Sequence, residues 1–409
     1  MSEILHMPDH AGGTSHRPTP GAPPRVHRAS GWRVAAMVAS HLFDDLYQGA
    51  VPAMLPFFVA ERHYGYVAAA GITLAATLLS SVVQPLFGLL TDRHPMPWLV
   101  PAGLSVAGLG IALSGLVDSY LWTWCAIALS GVGVASYHPE STRLARAASD
   151  GSHVGMSWYS LGGNVGFALG PIVVAPVVSA FGLPATPLLI IPAVVAGVAL
   201  ALLLRPLASK AQVFAAGALA GLEDDWRQFS LLAVIVTGRS IVGFALNTFL
   251  ALWVIEHLHA HGQFEGQVAL VLYFGCGAVG TLAGGFLARR WERVRILRLS
   301  YLLSVPALAG IGLAPGAFVF FFIAASGIVL FLPFSLQVTL GQDYLPTRIG
   351  TASGVTLGLS ISIGGLAAPA IGALAEAIGL EGAILVLIVV PAACWLLSLW
   401  IREPRQVTG

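Results

Sequence analysis

Residues 184–204 read PATPLLIIPAVVAGVALALLL, a run of 21 positions without a charged side chain. A helix of about 20 apolar residues is long enough to cross the hydrocarbon core of a bilayer. Similar apolar runs recur along the chain, whereas a membrane β-barrel would show short strands of alternating polarity. Because lipid offers the backbone no hydrogen-bond partners, these runs predict membrane-spanning helices.

The composition of the whole chain agrees with this interpretation. The 409 residues include only 20 Lys and Arg and 19 Asp and Glu, while 56% are apolar. This scarcity of charge argues against a disordered protein, a nucleic-acid binder with a basic patch and a soluble enzyme. The three cysteines lie inside apolar segments without paired spacing, so we predict neither a disulfide framework nor a thiolate metal site.

Polar residues divide the chain after residue 30 into about twelve apolar segments. The predicted helices lie near residues 31–60, 66–90, 97–117, 120–142, 152–181, 184–204, 229–256, 266–288, 294–313, 315–342, 350–378 and 381–401. Basic residues should collect in cytoplasmic loops, and 18 of the 20 fall on one side of this arrangement. Arg62 lies on the opposite side and Arg239 lies within a helix. We therefore predict a multi-pass protein of the cell's inner membrane with both termini cytoplasmic.

The two halves of the chain resemble each other at an offset near 197 residues. A motif at residues 88–93 returns at residues 285–290, and a stretch rich in Ser and Gly at residues 155–171 returns at residues 350–369. Six helices per half in the same orientation predict a parallel repeat about an axis along the membrane normal. The predicted fold is therefore an all-α membrane protein with twelve transmembrane helices in two pseudo-symmetric bundles.

This fold divides the chain into five parts. They are a disordered cytoplasmic tail at 1–30, an N-terminal six-helix bundle at 31–204, a cytoplasmic linker at 205–228, a C-terminal six-helix bundle at 229–401 and a cytoplasmic tail at 402–409. The middle of the linker, residues 211–222, is too short to span and is predicted to lie on the membrane surface.

Predicted helix 1 contains the densest group of polar residues: His41, Asp44, Asp45, Tyr47 and Gln48. Ionisable groups inside a membrane are expensive, so each suggests a function. Helical spacing places His41, one aspartate and Gln48 on one face, and two adjacent carboxylates in a low dielectric do not both ionise easily. We predict Asp45 as the proton carrier, with Asp44 or His41 as a secondary site. The alternative is a structural network between helices.

Predicted helix 4 ends in a second polar group around Pro139, which interrupts the backbone hydrogen-bond ladder. Glu140 and Arg143 are three residues apart and can pair on one face. His138 can titrate near neutral pH, which suits a proton relay. His138 and Glu140 are also possible metal ligands, but no third ligand accompanies them at helical spacing. We therefore predict no metal site.

Arg239, in predicted helix 7, lies at a depth similar to that of Asp44 and Asp45 in the equivalent helix of the first half. We hypothesise a charge pair across a central cavity that breaks when substrate or proton binds; the alternative is a permanent ion pair between the halves. The predicted cavity residues are Tyr47, Gln48, Tyr137, Glu140, Arg143, Asn164, Arg239, Asn247 and Gln337. In predicted helix 5, the small residues Gly166 and Gly170 with Pro171 predict close helix packing and a bend.

Three motifs together carry a resemblance to a known family: HLFDDLYQ at residues 41–48, YHPE at residues 137–140 and QDYLP at residues 342–346. They resemble the fosmidomycin resistance family of the major facilitator superfamily. In that resemblance Asp45 matches the family's acid. The segment Gly166-x-x-x-Gly170-Pro171 resembles the antiporter motif of drug exporters. Gly88, Asp92 and Arg93 match a gating loop that helps lock one conformation.

The resemblance implies a proton-coupled transporter that exports a small toxic compound or drug by alternating access. Fosmidomycin is a phosphonate, and Arg239 or Arg143 could pair with such an anion. The alternative is a proton-coupled importer of a small metabolite or organic anion with the same fold. An intramembrane enzyme would need a nucleophile with a base, or a metal triad. We predict no enzyme, no catalytic residue and no cofactor; the expected partners are a small molecule, protons and the bilayer, without nucleic acid, and the expected functional unit is a monomer.

Overall fold

The computed structural model describes residues 31–93, 96–149, 153–208, 223–259, 262–346 and 360–404, together with positions 348, 352, 355 and 356. These residues form helices and the turns between them. The predictions for the tail at 1–30, for residues 405–409 of the tail at 402–409 and for the linker segment 211–222 lie outside the described residues.

Thirteen α-helices are described. They are α1 (Gly31–Arg62), α2 (Tyr66–Arg93), α3 (Leu99–Ser114), α4 (Tyr120–Ala148), α5 (His153–Phe181), α6 (Ile191–Ala208), α7 (Trp226–His257), α8 (Phe264–Leu287), α9 (Arg293–Leu313), α10 (Val319–Phe331), α11 (Phe334–Tyr344), α12 (Ser360–Leu387) and α13 (Val389–Ser398). Two 3₁₀ helices, Leu183–Ile190 and Gly316–Phe318, lead into α6 and α10.

These helices make up the twelve predicted segments. The tenth segment is divided into α10 and α11 at Pro333, whose ring removes a backbone donor. Conversely, α12 joins the eleventh segment to the start of the twelfth through Gly379, which has φ 80° and ψ 163°. Only glycine adopts this conformation without strain. The all-α architecture of twelve segments is thus confirmed, with these two local differences.

Seven stretches of the described residues are long and apolar enough to cross a membrane: Gly155–Phe181, Leu183–Leu203, Trp226–His257, Phe264–Leu287, Arg293–Leu313, Gly316–Tyr344 and Ile363–Ser398. The last includes the bend at Gly379. α1 falls outside this group, and it carries the polar cluster around Asp44 and Asp45. α2, α3 and α4 also fall outside it, but among the described helices α1 alone carries two adjacent buried aspartates, and buried ionisable groups in a membrane helix suggest a function.

The helices pack as two related bundles. α1 packs on α5 and α4 packs on α2 and α3 in the first half, while α7 packs on α12 and α10 packs on α8 and α9 in the second. The main contacts between the halves are α2 with α12 and α5 with α8. These two contacts exchange under the internal repeat, as a pseudo-twofold axis between the bundles requires.

We call the side on which α1 begins the basic side, and the side on which it ends the opposite side. Hydrogen bonds join the two halves towards the opposite side. Tyr66 Oη donates to Glu256 Oε2 at 2.8 Å, and the Val67 amide donates to Glu376 Oε1 at 3.1 Å. Deeper in the protein, Gln267 Nε2 donates to the Ala53 carbonyl at 2.9 Å. Polar contacts therefore hold the halves together on the opposite side.

Arg62, the basic residue that departs from the charge distribution, has a structural role at the end of α3. Its guanidinium donates to the carbonyls of Ser114 at 3.1 Å and Gly115 at 2.8 Å, and it also contacts Thr123 Oγ1. A cation at a helix C-terminus satisfies unpaired carbonyls and complements the helix dipole. This capping role accounts for an arginine on the opposite side.

Candidate functional site

Glycines on α5 let it approach α1 closely. A Cβ at Gly170 would lie 2.6 Å from the Ala50 amide nitrogen, and a Cβ at Gly166 would lie 3.0 Å from that of Leu46. Pro171 follows on the buried side of α5. This close approach brings the polar face of α1 against α5, with α4 completing the enclosure.

His41, on α1, is held between a backbone carbonyl and a carboxylate. Its Nδ1 lies 2.8 Å from the Tyr159 carbonyl, and its Nε2 lies 3.2 Å from Asp45 Oδ2. The imidazole stacks on the Tyr159 ring with centroids 4.1 Å apart. A carbonyl oxygen can only accept, so Nδ1 carries a hydrogen. His41 therefore directs Nε2 at Asp45.

His138, on α4, makes the same type of arrangement from the other side. Its Nδ1 lies 2.9 Å from the Val134 carbonyl, and its Nε2 lies 3.5 Å from Asp45 Oδ1. In a neutral imidazole with hydrogen on Nδ1, Nε2 is an acceptor. Two acceptor nitrogens facing a carboxylate repel it unless a proton resides on one of them. We call His41, Asp45 and His138 the proton cluster, because one proton shared among these groups would remove the repulsion.

Asp44 adds a second carboxyl group beside this cluster. Its side chain is completely buried, and neither oxygen has a hydrogen-bond partner among the described residues. Oδ2 lies 3.4 Å from His138 Nδ1, but that nitrogen is aligned with the Val134 carbonyl. Burying an ionised carboxylate without hydrogen bonds costs free energy. A proton bound at or beside Asp44 would lower that cost.

Two pairs of hydrogen-bonded hydroxyl groups lie beside the cluster. Tyr137 Oη lies 2.6 Å from Ser40 Oγ, and Tyr159 Oη lies 2.5 Å from Ser141 Oγ. The Tyr137 ring also stacks loosely on His41, with centroids 6.3 Å apart. Tyr137, predicted to line the substrate cavity, is fully buried and belongs to the wall of the proton cluster.

A cavity lies beside this cluster and is bordered by both halves. Gln48 borders it, and Gln48 Nε2 donates to Asp45 Oδ1 at 2.6 Å. Asn247 borders it from α7, and its buried Oδ1 has no hydrogen-bond partner in the described structure. The lining residues are Tyr47, Gln48, Val51, Thr73, Ala76, Thr77, Ser130, Gly131, Val134, Phe167, Phe244 and Asn247. This lining is neutral and combines hydrogen-bonding groups with aromatic faces.

Tyr47 has a structural task in addition to bordering the cavity. Its hydroxyl donates to the Leu189 carbonyl at 2.9 Å and accepts from the Ala193 amide at 2.8 Å. The hydroxyl therefore joins α1 to the start of α6, and the ring supplies the cavity wall.

Glu140 and Arg143 pair with each other on α4, as their spacing allows. Arg143 Nε donates to Glu140 Oε2 at 3.0 Å, and a second guanidinium nitrogen contacts Oε1. Glu140 is completely buried. Bidentate pairing satisfies the buried carboxylate. Neither side chain borders the cavity described above.

Arg239 is not paired with Asp44 or Asp45: no ion pair joins them in the described part of the chain. Its Nε donates to Gln337 Oε1 at 3.1 Å, and its guanidinium lies 5.0 Å from the centre of the Phe334 ring. The hypothesised charge pair across the cavity is therefore not formed in this conformation, where the contacts of each group lie within its own half. Depth along a helix does not specify the direction in which a side chain points.

The remaining predicted residues lie in two other places. Asn164 is on α5, partly exposed, and does not border the cavity. Gly88, Asp92 and Arg93 belong to α2, which continues to Arg93, so the predicted gating loop is helical at these positions. A Cβ at Gly88 would meet nothing within 4 Å, whereas the side chains of Asp92 and Arg93 lie outside the described part.

Two contributors to the proton cluster were not predicted. Tyr159 supplies the carbonyl and the ring that hold His41. Gly163 lies one turn further along α5, where a Cβ would be 2.7 Å from His41 Cε1 and 2.8 Å from Nε2. Their spacing of four residues places them on one face with Gly166 and Gly170, which is the signal that could have identified them.

The sequence indicated only two possible metal ligands, but the fold brings a different set together. One ligand atom from each of His41, Asp45 and His138 lies within 4.8 Å of the others. The distances would admit a metal ion. His41 and Asp45 come from α1 and His138 comes from α4, and spacing within one helix could not reveal a set shared between two helices.

The sequence of the chain is similar to those of known membrane transporters. A family model described as Major Facilitator Superfamily matches residues 37–369. The chain is 28% identical over 363 residues to the uncharacterized MFS-type transporter YfnC of Bacillus subtilis, covering 86% of this chain and 88% of that protein. It is 28% identical over 355 residues to the fosmidomycin resistance protein of Escherichia coli, covering 85% and 87% of the two chains.

Among solved structures, the chain is similar to a bacterial homologue of the human lysosomal transporter Spinster in an inward-facing, unoccupied conformation. The TM-score is 0.75 at 15% sequence identity, and the match covers 93% of this chain and 99% of the other. At this identity the similarity concerns the fold.

Proposed function

Because this chain belongs to the Major Facilitator Superfamily, we propose that it is a proton-coupled secondary active transporter that exports a small toxic compound by alternating access. The observation that carries the proposal is the pair of imidazoles directed at Asp45. Both histidines use Nδ1 on a backbone carbonyl, so both point Nε2 at the carboxylate. A proton makes these contacts attractive, and its loss makes them repulsive.

Gln48 connects proton binding with the cavity. Its amide donates to Asp45 Oδ1 and also borders the cavity. When Asp45 changes its protonation state, the strength of this hydrogen bond changes. Gln48 then becomes more or less available to a substrate. Such a link lets proton and substrate compete for one conformation, which is what an antiporter requires.

The neighbourhood of Arg239 supports an anionic substrate. Its guanidinium has no carboxylate partner in the described structure and contacts Gln337 and Phe334. Arg239 is eight residues from Asn247 on α7, or about 12 Å along the helix axis. Arg239 does not border the cavity in this conformation, so we propose that an anion reaches it, with a hydrogen-bond donor at Asn247, in another conformation of the alternating-access cycle.

Two observations support export as the direction of substrate transport. The first is the likeness to a protein named for fosmidomycin resistance, and the second is the antiporter-like motif on α5. The driving force is adequate, because one proton supplies about 2.3 kcal/mol per 100 mV and about 1.4 kcal/mol per pH unit. With both, a neutral substrate reaches a gradient of roughly a few hundredfold. The alternative with the same fold is a proton-coupled importer of a small metabolite or organic anion.

The test has two stages. A growth screen first compares a strain that expresses the protein with a deletion strain across toxic compounds, including fosmidomycin. The compound whose tolerance changes is then added outside proteoliposomes that contain a pH indicator and start without a gradient. Antiport carries protons out as substrate enters, so the lumen becomes alkaline. An acidified lumen would establish import by symport, and substrate uptake without any pH change would refute proton coupling.

A further inference from the structure

A second cavity lies on the basic side of the C-terminal bundle, away from the proton cluster. It has a volume of about 290 Å³. It forms where α7 begins, where α9 passes, and where the chain leaves α13. Its lining residues are Asp225, Arg227, Gln228, Arg298, Leu399, Trp400, Ile401 and Arg402.

The walls of this cavity are held by hydrogen bonds. Arg298 donates to the carbonyls of Ser398 at 3.1 Å and Ile401 at 2.8 Å, which ties α9 to the C-terminal segment. Gln228 Oε1 accepts from the Arg402 amide at 2.9 Å. These hydrogen bonds therefore fix the positions of the segments that line the cavity.

The charge of the cavity is strongly positive. Arg227, Arg298 and Arg402 face one carboxylate, Asp225, whose Oδ1 already accepts from the Gln228 amide at 3.0 Å. The side chains of Arg227 and Arg402 are exposed and have no ion-pair or hydrogen-bond partner among the described residues. Uncompensated guanidinium groups around one cavity attract a phosphate-bearing anion.

Asp224 and Glu403, the acids next to cavity residues in the chain, do not neutralise this charge, because each is already engaged by another arginine. Asp224 Oδ2 lies 3.4 Å from Arg348 Nε, and Glu403 Oε1 accepts from Arg293 Nε at 2.8 Å. The excess of positive charge consequently remains at the cavity.

The apolar part of the lining indicates what carries the phosphate. Of the lining residues, Leu399 is 48% exposed and Trp400 is 59% exposed. Tryptophan collects where membrane proteins meet lipid headgroups, and basic pockets at this level bind anionic headgroups. A free phosphate ion would use the arginines but would gain nothing from exposed leucine and tryptophan.

We propose that this cavity binds the phosphate headgroup of an anionic phospholipid, with the acyl chains lying against Leu399 and Trp400. Arg227 and Arg402 hold the phosphate and Arg298 shapes the site. The site is separate from the transport pathway and does not depend on the substrate or on proton coupling.

The test measures binding of phosphatidylglycerol to the purified full-length protein in neutral detergent, by native mass spectrometry. Arg227→Gln combined with Arg402→Gln should weaken binding about thirtyfold, since each arginine contributes about 1 kcal/mol near a lipid surface. These two are chosen because their side chains make no hydrogen bond or ion pair among the described residues, and the backbone contacts of Arg402 are kept in the variant. Arg289→Gln combined with Arg290→Gln is the matched control, because it removes the same charge from the same side outside the cavity and should change binding less than about threefold.

Two further arms identify the ligand class. Phosphatidylcholine should bind at least about tenfold more weakly than phosphatidylglycerol in the wild type. Glycerol 3-phosphate, a phosphate monoester without acyl chains, should not compete at equal concentration. Equal competition by glycerol 3-phosphate would overturn the lipid assignment in favour of a soluble phosphorylated compound. Equal binding of phosphatidylglycerol by the cavity variant and the control variant would overturn the site itself.

Discussion

The side-chain amide of Gln48 donates a hydrogen bond of 2.6 Å to Oδ1 of Asp45. One end of this contact belongs to the proton cluster and the other borders the cavity. Asp45 Oδ1 also faces His138 Nε2 at 3.5 Å. One carboxylate oxygen therefore contacts both an imidazole that can be protonated and a residue that borders the cavity.

Replacing Asp45 should separate proton coupling from substrate movement. Asp45→Asn removes the charge that the imidazoles face, and hydrogen bonds to charged groups contribute about 1.5–3 kcal/mol. Proton-driven export should fall about tenfold to a hundredfold, while substrate exchange without a gradient persists. Transport assays in proteoliposomes measure both. Asp118→Asn is the control, because that carboxylate is 84% exposed and outside the cluster. Full proton-driven activity in Asp45→Asn would contradict the assignment.

Gly163→Ala should disturb the cluster from α5. The added Cβ would lie 2.7 Å from His41 Cε1, so His41 must move away from Tyr159 or α5 must move away from α1. Overpacking of this kind costs about 1–3 kcal/mol, and the melting temperature and coupled transport should both fall. Gly275→Ala on α8 is the control, because its Cβ would meet nothing within 4 Å. Comparable behaviour of the two variants would argue against tight packing at Gly163.

Arg239 should be needed for affinity towards an anionic substrate. Arg239→Lys keeps the charge but loses the planar guanidinium, so the Kd for the anionic substrate should rise about tenfold above that of the wild type. Arg239→Gln also removes the charge and should raise this Kd about a hundredfold above that of the wild type. Fluorescence titration with the anion identified in the growth screen measures both. Arg146→Gln, an exposed change on α4, controls for the loss of charge. An unchanged Kd in Arg239→Gln would remove this residue from the binding site.

Contacts on the opposite side should stabilise the conformation seen here. Combining Tyr66→Phe with Glu376→Ala removes the hydrogen bonds to Glu256 and from the Val67 amide. At about 0.5–1.5 kcal/mol for each bond, the population open on the opposite side should rise about fivefold to a hundredfold. The alkylation rate of Thr73→Cys, otherwise buried, reports this opening.

The control for this change is chosen on the same side of the protein. Glu381→Ala alters an exposed acid just beyond the bend at Gly379 and should leave the alkylation rate unchanged. If the double variant were alkylated no faster than Glu381→Ala, these contacts would have no gating role.

Chelation should leave transport unchanged if a proton occupies the cluster. His41, Asp45 and His138 are close enough to admit a metal ion, but their arrangement requires only one positive charge beside Asp45. Transport rates before and after treatment with a chelator, at constant pH, provide the measurement. A lower rate that zinc restores would replace the proton with a metal ion as the occupant.

The sequence by itself determined the membrane class, the twelve segments and the repeat. These properties follow from local features, because an apolar run of fixed length and the distribution of Lys and Arg need no tertiary contact. The same features singled out Asp45 and His41, since charges within an apolar helix are conspicuous. They also predicted the pairing of Glu140 with Arg143, three residues apart on one helix.

Only the tertiary structure decided which atoms meet. The rotation of each helix about its axis and its distance from its neighbours depend on packing, and here on glycines such as Gly163 and Gly170. That packing directs His41 and His138 at one carboxylate and leaves Asp44 without a hydrogen bond among the described residues. The packing also gives Arg239 a partner in its own half, Gln337. It also gathers Arg227, Arg298 and Arg402 around one cavity, because residues far apart in the chain become neighbours only when helices pack.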